Sequence, residues 1–202
     1  FIDLINQSDV DSYDFSLRET QTYEIIDDVA HMKSEIGLLY YNDFNRPVLE
    51  KLIHTNELTF TELFTAHPHI FIGKTHPLAN KDVVSMDELE EYPYISFEQG
   101  DHNSFYFSEE IFSTVVRPKH IRVRDRASLF SLLLGLNGYT VSSGVIDKEV
   151  NGENIISVPL AEEGLMHIGY ITNNKMQRSR LGQVYIQALE QYVCNYGRHI
   201  QL

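Results

Sequence analysis

An α/β fold with mostly parallel sheets is predicted by three observations in this sequence. Short apolar runs of strand length alternate with amphipathic runs of helix length along all 202 residues. Gly, Pro, Asn or Ser clusters close most of the runs. The last run, from about Ser179 to Tyr196, carries Leu181, Val184, Tyr185, Ala188, Leu189 and Tyr192 at helical spacing. No internal repeat or low-complexity segment interrupts the pattern.

Taken in order, Phe1, Ile2, Leu4 and Ile5 read as the end of a helix that begins upstream, since the chain opens inside an apolar pattern without Met. Tyr13, Phe15 and Leu17 alternate with polar residues, the mark of a half-buried strand. Thr20 is placed to cap a helix bearing Tyr23, Ile26, Val29 and Ala30. Ile36–Tyr41 is a buried strand, and Pro47 suits the first turn of the following helix. Leu58 to Gly73 is extended. Ser85 and Glu88 form a capping box for a short helix, and Tyr94–Phe97 is a strand. Phe105–Val115 reads as a helix, Ile121 with Val123 as a strand, and Ser128–Leu136 as an apolar helix stopped at Asn137-Gly138. Tyr139–Val141 is again a strand, after which Ser142-Ser143-Gly144 would open a helical turn. Ile155–Leu160 and His167–Thr172 are late strands.

Charge narrows the function classes. Sixteen Lys and Arg against 29 Asp and Glu leave a net charge of −13. Nucleic-acid affinity comes largely from basic groups that displace counterions, so these residues by themselves do not bind DNA. The densest basic stretch, residues 117–126, is broken by Pro118, Ile121, Val123 and Asp125 and reads as the flank of a strand. Cys194 is the only cysteine, so no intrachain disulfide can form, and a reducing, cytoplasmic setting is expected. No apolar run reaches the roughly 18 residues that a membrane span needs.

Catalytic signals are weak. His67 and His69 share a strand face and His76 is nearby, but zinc needs three or four ligands and no Cys is close. Ser143 lacks the leading glycine of a G-x-S-x-G elbow, and neither a P-loop nor a G-x-G-x-x-G run occurs. Asp27-Asp28 and Glu90-Glu91 diverge around their helices as solvated faces. No catalytic set, metal site or cofactor is expected.

Three pieces in linear order carry a resemblance. They are FTAHPHIFIGKTHPLANKDVVSMDELEEYPYISFEQG (64–100), HIRVRDRASLFSLLLGLNGYTVSSGVI (120–146), and IISVPL with MHIGYITNN before the closing helix. The chain resembles the effector-binding domain of LysR-type transcriptional regulators over essentially its whole length. Residues 94–111 look closest to a streptococcal group tied to sulfur amino-acid uptake.

The resemblance implies two Rossmann-like α/β lobes joined by two crossing strands, a fold similar to type 2 periplasmic binding proteins. Residues 1–67 with 166–202 would form lobe one and residues 68–165 lobe two. It implies a cytoplasmic effector sensor, not an enzyme. The partners would be a small molecule such as an amino acid or sulfur metabolite, and a second copy, with tetramers in the full protein. DNA would be bound only through a helix-turn-helix upstream of Phe1, where the family's first strand would also lie. A solute-binding protein serving a transporter is the competing reading, separable by what precedes Phe1.

Ligands of such sheets sit beyond the carboxyl ends of strands, near helix N-termini. The expected effector contacts are therefore Gln99, Gly100, His102 and Asn103 after one strand, Ser142 and Ser143 after another, and Tyr41, Asn42 and Thr20 across the cleft. Exposed N–H groups there would suit a carboxylate. The 98–104 loop would otherwise be only a turn and cap, Ser142 and Ser143 only an N-cap, and Tyr40 is equally placed for the core. Asp125 reads as a helix cap rather than a ligand contact. For the dimer, the resemblance pairs the helix ending in Phe1–Asn6 with the helix of Phe105–Val115, where Phe107, Ile111 and Phe112 serve either that contact or the core.

Overall fold

A computed structural model describes residues 2, 5, 14–102, 104–146 and 152–197, leaving aside the side chains of 195–197. Two sheets organise it. The first is fully antiparallel, with β8 (Met166–Asn173) between β1 (Ile36–Tyr41) and β2 (Leu58–Ala66). Helix α1 (Thr22–Ala30) packs on β1 and β8, and α2 (Arg46–Thr55) packs on β2. Leu49 and Ile53, one turn apart in α2, are buried with Ile26, Val29, Leu39 and Ile171. Pro47 lies in the first turn of α2, where its missing N–H costs nothing.

In the second sheet β3 (His69–Gly73) runs antiparallel between β6 (Thr140–Ser142) and β7 (Ile155–Pro159). Strands β4 (Tyr94–Phe97) and β5 (His120–Val123) pair in parallel. They join this sheet through Ile95 N–H to Tyr139 O at 2.8 Å and Tyr139 N–H to Pro93 O at 2.9 Å. The period-two alternation of β3 then divides the core. Ile70 and Ile72 face Val84, Leu89, Tyr94 and Val158, while Phe71 faces the other way onto Leu129 and Leu133 of α3 (Arg126–Leu136). Each such fully buried aliphatic side chain favours the fold by about 1.5–3 kcal/mol. Asp125 caps α3 by accepting Ser128 N–H at 2.8 Å, and Asn137, left-handed at φ 49°, ends it. Helix α4 (Arg180–Gly197) closes the chain.

The backbone crosses between the sheets twice, at β2 to β3 through His67-Pro68 and again from β7 to β8. These crossings explain why the sheets are not mostly parallel. Among the described residues only β4–β5 and the bridges Val84–Leu160 and Tyr94–Tyr139 are parallel. Two strands that leave and re-enter the same sheet at one edge of the molecule run in opposite directions, and β8 lies between both of its partners.

Three local expectations also change. Residues 14–20 form no strand, because no described strand pairs with them and β1 is hydrogen-bonded only to β8; Tyr13 lies outside the described residues. The expected helix Phe105–Val115 is one 3-10 turn, Phe105–Phe107, followed by turns. Ser108 leaves helical geometry at ψ 138°, and Phe112 sits at φ 63°, a value that no right-handed helix admits. The three residues expected for the dimer contact pack inward: Ile111 is 4% exposed and Phe112 packs beside it, while Phe107 meets Tyr23 edge-on at 5.6 Å; Phe105 and Val115 stay exposed. The proposed dimer helix is therefore corrected on this side, and most of Phe1–Asn6 lies outside the described residues. Ser143 to Ile146 open no helical turn. The capping box at Ser85 does form, with Ser85 N–H donating to Glu88 at 3.0 Å, but it starts only the 3-10 turn Asp87–Leu89.

Candidate functional site

The N-terminus of α1 has no side-chain cap of its own: Gln21 stands at the cap position, and Thr20 instead donates to Glu24. The missing acceptor comes from the second sheet. Gln99, just beyond β4 and 3% exposed, accepts Thr22 N–H on its Oε1 at 3.2 Å. Its amide nitrogen donates to Glu109 at 3.3 Å. Gly100 sits at φ 52°, a left-handed backbone that favours glycine, and lies against the end of the Gln21 side chain. His102 stacks on Tyr23 with ring centroids 3.5 Å apart. Arg126 pairs with Glu19 at 3.2 Å, Phe44 stacks on Tyr106 at 4.7 Å, and Tyr40 donates to Ser108 O at 3.2 Å. Segments of the two sheets are thus latched by side chains that follow β4 and begin α1 and α3.

Beside this latch lies a cavity of about 420 Å³ bounded by Phe97, Glu109, Glu110, Arg126, Ser142 and Tyr192. It sits beyond the ends of β4 and β6 and at the start of α3, with Tyr192 of α4 forming one wall. Glu110 is 3% exposed. One of its oxygens accepts Phe97 N–H at 2.8 Å, and its own backbone N–H also bonds the carboxyl. Burial, its dominant perturbation, pushes this carboxyl up to about 8 against the pull of the Phe97 N–H, with the charge of Glu109 adding to the rise. Glu109 is raised as well, chiefly by burial and less so by Glu19, with the Gln99 bond and Arg126 opposing. Burial also holds the Tyr40 hydroxyl neutral well beyond its ordinary range, the charges of Glu110 and Glu109 reinforcing it.

Gln99, Gly100 and His102 are brought together at α1, and Ser142 lines the cavity. Ser143 instead borders a separate apolar hollow of about 440 Å³ with Phe64, His69, Gly144 and Leu189. Thr20 borders a third, of about 400 Å³, with Leu17, Asp28 and Ile36. Tyr41 is buried against Phe60 at 4.2 Å. Asn42 spends its side-chain oxygen on Phe44 and Asn45 N–H at 2.9 and 2.8 Å. Asn103 lies outside the described residues. The acidic pair Glu109-Glu110 escaped sequence reasoning because the segment read as one side of an amphipathic helix. The available signal was two adjacent carboxylates in an aromatic-rich run with no basic residue within four positions.

The histidines have other partners. His76 accepts Leu78 N–H on Nδ1 at 3.1 Å, which leaves Nε2–H to donate to Asn137 O at 3.1 Å. Burial lowers its proton affinity, opposed by the Asn137 contact. His67 lies 3.1 Å from Gly164 O and His69 lies 2.9 Å from His67 O. Among the described residues no three His, Cys, Asp or Glu gather in a way that would hold a metal ion.

A family model, the LysR substrate binding domain, matches residues 12–193. The chain belongs to that family. Solved LysR-family structures share its fold. The effector binding domain of QuiR in complex with shikimate aligns at TM-score 0.62 and 16% identity, covering 96% of this chain and 88% of that one. The BenM effector binding domain with its effector benzoate aligns at 0.58 and 16%, covering 90% and 79%. HinK, a LysR family transcriptional regulator from Pseudomonas aeruginosa, aligns at 0.57 and 15%, covering 87% of this chain, which spans 58% of the length of HinK. No curated protein matches the chain. The expectation of a mixed α/β fold of the type 2 periplasmic-binding-protein kind holds, and the family is one of regulatory effector-binding domains, not of enzymes. No helix among the described residues is long and apolar enough to cross a membrane.

Proposed function

We propose that this LysR-family domain senses a small metabolite in the cavity walled by Phe97, Glu110, Arg126, Ser142 and Tyr192. The proposal divides the chain into lobe one, residues 1–67 with 166–202, and lobe two, residues 68–165, hinged at the two crossings. The observation that carries it is the route from the cavity to the latch. Glu109 borders the cavity and receives the Gln99 amide, while Gln99 caps α1 of the opposite lobe. A ligand that engages Glu109 competes for that amide and so has unequal affinity for latched and unlatched arrangements, which is the requirement for a shift between them. A DNA-binding segment joined to lobe one would read the shift.

The domain would act in the cytoplasm as a homodimer, within tetramers of a longer regulator that contacts DNA through its helix-turn-helix. The likeness of residues 94–111 to streptococcal regulators of sulfur amino-acid uptake makes sulfur amino acids and their precursors the first compounds to try. The test is a thermal-shift screen of metabolites followed by Ser142→Phe, which fills the cavity. Native-state ligands raise the melting temperature by mass action. Every stabilising compound is expected to lose its effect in this variant, and an unchanged shift would place binding elsewhere.

A further inference from the structure

The cavity has a chemical bias that its fold does not dictate. Two carboxyls, Glu109 and Glu110, line it against one guanidinium, Arg126, which already pairs with Glu19 outside. Glu110 is almost wholly buried and accepts two backbone N–H groups, from Phe97 and from its own residue, but no cationic side chain among the described residues bonds it. A buried carboxylate with no cationic partner is costly unless a ligand supplies the charge. The remaining wall is aromatic: Phe71, Phe97, Phe130 and Tyr192 border the same space. Ring faces attract cations as carboxylates do. A cavity of about 420 Å³ is of the size that encloses a small metabolite.

Resting on the sensor reading above, we infer that the occupant carries a protonated primary amine, seated on Glu109 and Glu110, with an apolar body against the phenyl rings. Ser142 in the same lining can donate its hydroxyl to a carboxylate if the ligand has one. This adds an ammonium seat to the carboxylate or amino-acid ligand expected from the sequence. The groups that face Glu110 are Glu109 on its own segment, the Tyr40 and Tyr94 hydroxyls from β1 and β4, and Arg117, with Arg126 lining the same cavity. Neither arginine bonds it directly.

Glu110 holds its proton in the empty protein near neutrality. When an ammonium enters, the carboxyl gives that proton to buffer, and a neutral acid with a free cation becomes an ion pair. Net charge balances because the released proton carries the unit gained.

The experiment compares three matched sets by thermal shift and calorimetry: the proteinogenic amino acids, the primary amines left by removing their carboxyl, and the carboxylic acids left by removing their amine. Amino acids or amines should bind while the deaminated acids do not. Calorimetry in buffers of different ionisation heat should show release approaching one proton per site at pH 7 and fading by pH 9. Glu110→Gln keeps the acceptor for Phe97 N–H and therefore folds. It should weaken amine binding at least tenfold and abolish the proton release. Deaminated acids binding as tightly as their parents would overturn the inference while the sensor reading stands, provided Ser142→Phe abolishes that binding. Amine binding that Ser142→Phe leaves unchanged would sink both. Silence from all three sets, or amine binding indifferent to Glu110→Gln, would also overturn it.

Discussion

Replacing Glu110 by Gln isolates the cost of ionising one buried carboxyl. The amide oxygen can still accept Phe97 N–H, held at 2.8 Å in the parent. What disappears is titration. The folded carboxyl releases its proton near pH 8, whereas its ordinary value is 4.5. Between those values the native chain keeps a proton that the unfolded chain has lost, so unfolding becomes easier as pH rises. Each pH unit in that window costs about 1.4 kcal/mol. Across about 3.5 units the wild type should lose on the order of 3–5 kcal/mol relative to the variant. The stability is whole below pH 4.5, declines through neutrality, and is fully lost above about pH 8. Urea denaturation of both proteins at half-unit intervals from pH 4.5 to 8.5 measures it, and the difference between the two curves cancels every other titrating group. Curves that stay parallel would refute the buried setting, without a bonded cation, assigned to this carboxyl.

Three other substitutions test the framework. Leu133→Ala, at a fully buried position of α3, should destabilise by about 2–5 kcal/mol in chemical denaturation. Asp125→Ala removes the cap of α3 and should cost about 0.5–2 kcal/mol, while Asp125→Ser should recover most of it. Gln99→Ala breaks the bond that ties β4 to α1 and should cost about 0.5–1.5 kcal/mol. The same variant should expand the particle in small-angle scattering, and an unchanged profile would mean that the latch is dispensable.

The fold was legible wherever one segment determined its own structure. Helix α3 announced itself through an apolar run between Asp125 and Asn137-Gly138, and both ends hold in the structure because capping is a local bond. Pro47 and the Ser85–Glu88 box are local in the same way. Legibility failed where the outcome depended on a distant partner. Phe15 and Leu17 alternate as a strand should, yet residues 14–20 form no strand. Strand direction was likewise invisible, because the order of elements does not reveal that β8 returns between β1 and β2.

The candidate site divides along the same line. Gln99, Gly100 and His102 were found because a polar, glycine-bearing loop follows an apolar strand. Their actual work, capping α1 from the other sheet, required a contact across 77 positions. Tyr41 and Asn42 satisfied the strand-end rule and then turned into core packing and a local turn. Glu109 and Glu110 fell inside the expected helix Phe105–Val115, and what overturns that helix is a backbone that leaves helical geometry at Ser108 and Phe112.

The most direct test is a crystal structure of the domain with the strongest stabilising metabolite. Electron density for the compound is expected between Phe97, Glu110, Arg126 and Tyr192, with the Gln99 amide moved relative to Thr22. Density at any other hollow, with this cavity unfilled and the Gln99 contact intact, would contradict the account.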